Sequence, residues 1–345
     1  MGFSKMKFEV SPELLRNAGV LIGIAIALFS VSLIGVGLML HMNLKLLFFW
    51  FFKSTIGSKF GILNVLRRTT GLLVVSLGLC VAFATSVWNI GGEGQIMWGG
   101  LMTVGVCFAL ASLPLAAVAP AAFIVAFIAG GAWGLIAGVL KAKWEVNEIV
   151  STMMLNFVAM AAMIEIAGGP WRNPILLVAI TKDIARHLWF PTLIAPLDST
   201  FIVALALIPV VHILMNKTLL GYEMRVVGFN RKAAAYAGIN ISRVVNLCMF
   251  LSGGLCGLAG ALLVFGRFHH AEVGMTGLFG FYAIVSTLLG RCQPKLMFPT
   301  SLLIAIILTG SEALRILGVP GRFTDILMGI LFIVGVLPEI FARRR

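Results

Sequence analysis

The apolar residues of this chain gather in long runs with little charge inside them, at about 18–40, 69–88, 96–112, 115–140, 149–167, 199–215, 244–265, 278–290, 298–314 and 323–341. A helix that crosses a bilayer needs about 20 such residues. The pattern predicts an all-α polytopic membrane protein of about ten membrane segments, with residues 1–345 forming one integral membrane domain. A β-barrel would show alternation over about ten residues instead of continuous runs. The run at 278–290 is too short to cross alone and reads as a segment that enters the membrane part-way. Leu44–Phe52 is apolar and short, flanked by Lys45, Lys53 and Lys59, and reads as interfacial.

Between these runs two connections are long. Gly168–Ser199 carries Pro170, Trp171, Pro174, Trp189, Pro191 and Pro196. Asn216–Arg243 is the most polar stretch of the chain. Inside it, Asn230 is a good helix N-cap, 231–237 is alanine-rich, and Gly238 is a natural stop, so a short helix is expected there. The flanking Gly221 and Gly228, both before it, are expected to allow sharp turns. If Ala233, Ala234 and Ala237 face the body of the protein, Arg231, Lys232 and Tyr236 are offered outward.

Composition agrees with the pattern. Sixty per cent of residues are apolar, only 11% are charged, and the mean hydropathy is +1.05. The formal charge of +13 would suggest nucleic acid in a soluble protein, but in a membrane protein it records loops kept on the cytoplasmic face, and no nucleic-acid partner is expected. Counted with alternate crossings, 15 of the 26 Lys and Arg fall on the N-terminal side; five of the other eleven crowd into 41–68. Both termini are therefore expected in the cytoplasm. The five cysteines have no C-x-x-C spacing, and neither a disulfide framework nor a metal site is indicated.

Several polar residues stand within or beside the runs. Asn89, Glu93 and Gln95 lie in the glycine-rich stretch NIGGEGQ at 89–95. One reading sets them along a polar translocation path lined by irregular backbone. The other sets Glu93 at the positive N-terminal end of the following helix. Glu145, Asn147 and Glu148 face the same choice, since acids are stabilising in the first turn of a helix. Asn156, about two turns into an apolar helix, must find partners across a helix interface or from a solute. His269, His270 and Glu272 fit an interfacial loop better than a metal site. Gly253 with Gly257, and Gly130 with Gly134 and Gly138, have the spacing of close helix-packing faces.

Four stretches together resemble the permease subunits of ATP-binding-cassette importers for simple sugars, branched-chain amino acids and nucleosides. The segment from Gly221 through Tyr222, Glu223, Arg225, Gly228, Asn230, Arg231, Ala234 and Tyr236 to Gly238 is similar to the family's ATPase-coupling loop. NIGGEGQ at 89–95 is similar to its turn between the second and third spans. VNEIVSTMMLN at 146–156 resembles the nucleoside branch, and Gly280, Phe281 through Leu289, Gly290, Arg291 and Pro294 match a further motif. Gln293 departs from the asparagine expected before that proline. The resemblance implies a multi-pass subunit of a bacterial-type plasma (inner) membrane, forming half of a pathway for a small polar solute. Nucleosides come first and ribose-type sugars second. Besides the lipid bilayer it implies three protein partners: a cytoplasmic ATPase, a second permease of the same or another sequence, and an extracytoplasmic solute-binding protein. ATP and magnesium are then used by the ATPase, and this chain holds no cofactor and no catalytic residue.

Leu251, Ser252, Gly253 and Gly254 copy the start of an ATPase signature, but they lie in an apolar run and no G-K-[ST] phosphate loop occurs. A stand-alone secondary transporter would need intramembrane carboxylates, for which only Glu93 and Glu165 are placed. A membrane enzyme lacks any H-E-x-x-H or nucleophile arrangement.

Overall fold

The computed structural model describes residues 12–39 and 41–342. Lys5, Lys7, Arg343, Arg344 and Arg345, which weigh in the charge count, lie outside the described residues. The chain is helical almost throughout: α1 (Pro12–Met39), α2 (Leu44–Thr55), α3 (Lys59–Phe83), α4 (Gly92–Ala109), α5 (Leu115–Trp144), α6 (Glu148–Gly168), α7 (Thr200–Lys217), α8 (Leu219–Phe229), α9 (Arg231–Tyr236), α10 (Ile241–Leu263, continued by a π turn over Val264–Phe268), α11 (Phe279–Leu289), α12 (Met297–Arg315) and α13 (Arg322–Ala342). Among the described residues the only strands are β1 (Thr192–Ile194) and β2 (Leu197–Asp198), an antiparallel pair in the long 169–199 connection.

Among the described residues, six helices are long and apolar enough to cross a bilayer: α3, α5, α6, α7, α10 and α12. They divide into two kinds. The spans of α3 and α10 are 83% and 78% buried within the protein, whereas those of α5, α6 and α7 are 33%, 28% and 22% buried. The first two are the core, and the others turn a broad apolar face outward, as Met154, Phe157 and Val158 on α6 do.

Glycine seams let backbones close on α10. A side chain at Gly257 would collide with the Ala126 carbonyl, and one at Gly130 with the Gly253 carbonyl. Lipid tails are as apolar as leucine, so helices in a membrane associate through such close packing rather than through a hydrophobic drive. The G-x-x-x-G spacings expected to be packing faces are packing faces.

Polar caps set the helix starts. Asn147 accepts from Ile149 N–H at 2.9 Å to open α6, Thr218 accepts from Gly221 N–H at 3.1 Å to open α8, and Asn240 accepts from Arg243 N–H at 3.0 Å to open α10. The 69–88 run runs past its helix. α3 stops at Phe83, and 84–91 leaves helical geometry because Ser86 takes a positive φ and Asn89 folds back to accept from Gly91 N–H at 3.0 Å.

The two ends of the bundle differ. At one end, α8 and α9 lie beneath α3 and the start of α10. At the other, 169–199 docks on the end of α10: Phe190 N–H donates to Phe265 O, Ile184 N–H to His269 O, and Thr181 N–H to Ala271 O. Stretch 84–91 enters the bundle from the first end and 269–278 from the second. They bring the starts of α4 and α11 together at mid-depth. Asn89 touches Ser252, eleven residues along α10 from Ile241, or about 16 Å at 1.5 Å per residue. The short run expected to enter without crossing alone is α11. The other short apolar helix, α2, is more than a surface element: Leu47, Phe51 and Thr55 are buried, with Phe51 against Phe29 of α1 and against Gly310 of α12, while Phe49, Trp50 and Phe52 remain exposed.

Candidate functional site

Two places carry the polar residues singled out in the sequence, and one segment links them. The first is the helix pair α8–α9. Asn230 caps α9, its side chain accepting from Ala233 N–H at 3.1 Å, and Gly238 ends the turn at φ +76°. That positive φ is open to glycine and strained for a side chain. The short helix expected over 231–237 is therefore present. Its orientation differs from the expectation in detail: Ala234 is fully buried against the body, but Ala233 and Ala237 are exposed with Arg231, Lys232 and Tyr236. Tyr236 is 92% exposed and Phe229 94%, so two aromatic rings stand out from this end of the molecule.

The whole of α8 was absent from the sequence reading, which placed turns at Gly221 and Gly228. Both glycines are helical. They serve close approach: a side chain at Gly221 would collide with the Met215 carbonyl, and one at Gly228 with the Ala84 carbonyl. Tyr222 points outward, and Glu223 is half-buried. Arg225 is half-buried too and donates to the Met215 carbonyl; burial holds its guanidinium below its ordinary pKa. The amphipathic spacing of Met224 and Val227, both buried, is the signal that would have found α8.

The second place is the junction of broken helices. Glu93, 3% exposed, accepts a hydrogen bond of 2.7 Å from Gly280 N–H, with the Phe281 N–H and the Thr276 hydroxyl near it. These groups sit at the start of α11, while Glu93 is in the first turn of α4, so two helix N-termini converge on one carboxylate. Asn89 and Gln95 exchange a pair of 3.0 Å hydrogen bonds, and Asn89 also donates to the Ser252 hydroxyl at 2.9 Å. Asn156 accepts from Gly94 N–H and donates to Ile90 O, each at 2.9 Å, which answers the question of its partners: they are backbone groups of a neighbouring segment. Asn147 is an N-cap, and Glu148 pairs with Lys141 at 2.9 Å with the Trp88 N–H near it.

The link is 84–91. Its Ser86 hydroxyl donates to the Gly228 carbonyl at 2.9 Å, its Trp88 reaches Glu148, and its Ile90 is held by Thr152 and Asn156. Thus α8 is joined to Glu93 through a single non-helical stretch of backbone. Elsewhere, His270 pairs with Asp183 at 3.1 Å and His269 stacks on Trp189 with ring centroids 3.7 Å apart, so these histidines fasten the 169–199 connection; among the described residues no cluster could hold a metal.

Residues 61–336 match the family described as the permease component of the branched-chain amino acid transport system. The chain is 32% identical to the guanosine ABC transporter permease protein NupP of Bacillus subtilis over 78% of this chain and 79% of that one. It is 29% identical to the glucose ABC transporter permease protein TsgB13 of Haloferax volcanii, over 85% and 80% of the two chains. It is 27% identical to the nucleoside ABC transporter permease protein NupB of Lactococcus lactis, over 83% and 82%. With these matches and its apolar helices, the chain belongs to this permease family and is a membrane-spanning transport subunit of an ATP-binding-cassette importer, not itself an enzyme.

Proposed function

We propose that this permease imports nucleosides across a bacterial-type plasma membrane and forms half of the pathway. The observation that carries the substrate is the likeness to guanosine and nucleoside permeases over about four-fifths of the chain. A second reading, a simple sugar, is favoured by the glucose permease relative, which covers 85% of the chain. Uptake of radiolabelled guanosine and of radiolabelled glucose and ribose, in cells with and without the gene, separates them. Loss of guanosine uptake alone supports the nucleoside reading, and loss of sugar uptake alone replaces it.

Residues 1–345 act as one permease domain of about ten membrane segments, with both termini in the cytoplasm. The charge supports that orientation, since Lys141, Lys143, Lys217, Arg225, Arg231, Lys232 and Arg243 gather at the α8–α9 end. Residues 216–243 are the coupling loop. A cytoplasmic ATPase, which holds the ATP and magnesium, receives Arg231, Tyr236, Tyr222 and Phe229, while Ala234 seats α9 on the permease. When the ATPase closes, α8 moves, and the Ser86–Gly228 hydrogen bond passes the displacement to 84–91. Asn89, Glu93, Gln95 and Asn156 then form the framework that moves beside the solute path, with Asn147 and Glu148 fixing the entry of α6. A second permease subunit completes the pathway, and an extracytoplasmic binding protein delivers the solute.

A further inference from the structure

Away from both places described above, at the end of the bundle opposite α8–α9, a cavity of about 320 Å³ opens between α3, α10, α11, α12 and the start of α13. Its charge is unbalanced. Three guanidiniums line it, from Arg68, Arg267 and Arg315, against one carboxylate, Glu312. Arg68 takes that carboxylate, pairing with Glu312 at 2.6 Å. Arg67, next along α3, turns to a different acid, Asp198, at 3.7 Å, and lines an adjoining cavity with Arg68 and Arg267. Asp325 is occupied by the Tyr282 hydroxyl at 2.9 Å.

Arg267 is left over. Among the described residues it has no carboxylate within 4.0 Å; it lies over the Phe268 ring at 5.0 Å, with the positive charges of Arg68 and Arg67 near it and the negative charge of Glu312 opposing them. A half-buried guanidinium beside two others is costly unless an anion joins them. Its planar fork of donors suits phosphate oxygens, which can be taken two at a time. The walls supply the rest of a pocket: Phe279, Tyr282 and Leu308 are apolar surfaces.

The rim shows where such a group would come from. Leu278 lines the cavity and is exposed, Ile316 follows Arg315 and is 88% exposed, and Ile326 stands two residues beyond the lining Thr324 and is exposed. The cavity therefore opens beside an apolar surface of the kind that faces lipid, at the end of the spans where headgroups lie.

We infer that this cavity is a binding site for a phosphate group, held by Arg267 with Arg68 and Arg315, and presented by a phospholipid headgroup or as free phosphate. The inference does not depend on the solute or on the coupling loop.

Native mass spectrometry of the purified full-length permease tests it, with phosphatidylglycerol, phosphatidylcholine or inorganic phosphate added separately. Variants Arg267→Gln and Arg315→Gln are compared with the parent, and the second, at an exposed position, guards against a folding defect in the first. Phosphatidylglycerol or phosphatidylcholine retained by the parent and bound about tenfold more weakly by either variant, the loss of one charge-assisted hydrogen bond, supports the site with a lipid source. The same loss seen with inorganic phosphate and not with lipid supports it with free phosphate. Equal binding of all three by parent and both variants, or no binding of any, overturns it.

Discussion

The carboxylate of Glu93, at the start of α4, accepts a 2.7 Å hydrogen bond from the N–H of Gly280, at the start of α11. Two helices that begin half-way through the protein, one fed from each end, are thereby tied by a single acid. A carboxylate in such a place is tolerated because a backbone donor of the α11 start faces it and it lies in the positive first turn of α4. Removing it leaves the Gly280 N–H buried without that partner.

Glu93→Ala is therefore expected to destabilise the protein by about 2–3 kcal/mol, the cost of stranding a donor that served a charged acceptor. Glu93→Gln keeps an oxygen for Gly280 and costs less. Thermal unfolding in detergent, with the parent and both variants side by side, checks the order; equal midpoints for Ala and parent would refute the junction.

Gly280→Ala tests the same contact from the other side. A methyl group there would run into the Glu93 backbone nitrogen, so the two helix starts must separate. Glu93 is not altered, yet stability and transport are both expected to fall, read as lower recovery of monodisperse protein and lower uptake.

The histidine pair gives a pH dependence. Burial, with Arg67 nearby, holds the His269 imidazole below its ordinary value of about 6.5, opposed by Asp183 and Asp198. A base whose folded pKa is depressed adds stability above its unfolded pKa and loses it as the pH falls through the folded one. Docking of 169–199 onto His269 should thus weaken below about pH 6.5. Hydrogen exchange at the Ile184 amide, which donates to His269 O at 2.8 Å, should quicken on acidification, and His269→Phe, which keeps the stack on Trp189, should flatten that response.

Much of this was legible in the sequence, for identifiable reasons. Runs of apolar residues announce helices in lipid, G-x-x-x-G spacing announces their seams, and Asn230 with Gly238 announces α9 at both ends. What stayed hidden depends on contacts between distant segments. Gly228 reads as a turn residue until the Ala84 carbonyl is seen against it, and α8 was missed with it. The end of α3 at Phe83 was blurred because Val87 and Trp88 continue the apolar run although their backbone does not continue the helix. Glu93 offered two readings because a helix start and a polar path call for the same residue; only the position of Gly280, 187 residues away, shows what the acid holds.

The outward face of α9 and its inward one should respond differently. Arg231→Ala with Tyr236→Ala leaves the fold intact, since both side chains are exposed, and is expected to reduce co-purification of the ATPase. Ala234→Trp forces a large ring into a fully buried position and is expected to dislodge α9, lowering the yield of folded permease as well.

The central claim is that α8 drives the core through 84–91, and Gly228→Val addresses it most directly. A valine there would collide with the Ala84 carbonyl and separate α8 from Ser86, while the exposed face of α9 is unchanged. The measurement is solute uptake and ATP hydrolysis in proteoliposomes holding the permease, its ATPase and its binding protein. The account predicts that the ATPase still assembles and hydrolyses ATP, but that uptake and its stimulation of hydrolysis are lost. Uptake at the parent's rate in a folded Gly228→Val transporter would contradict it.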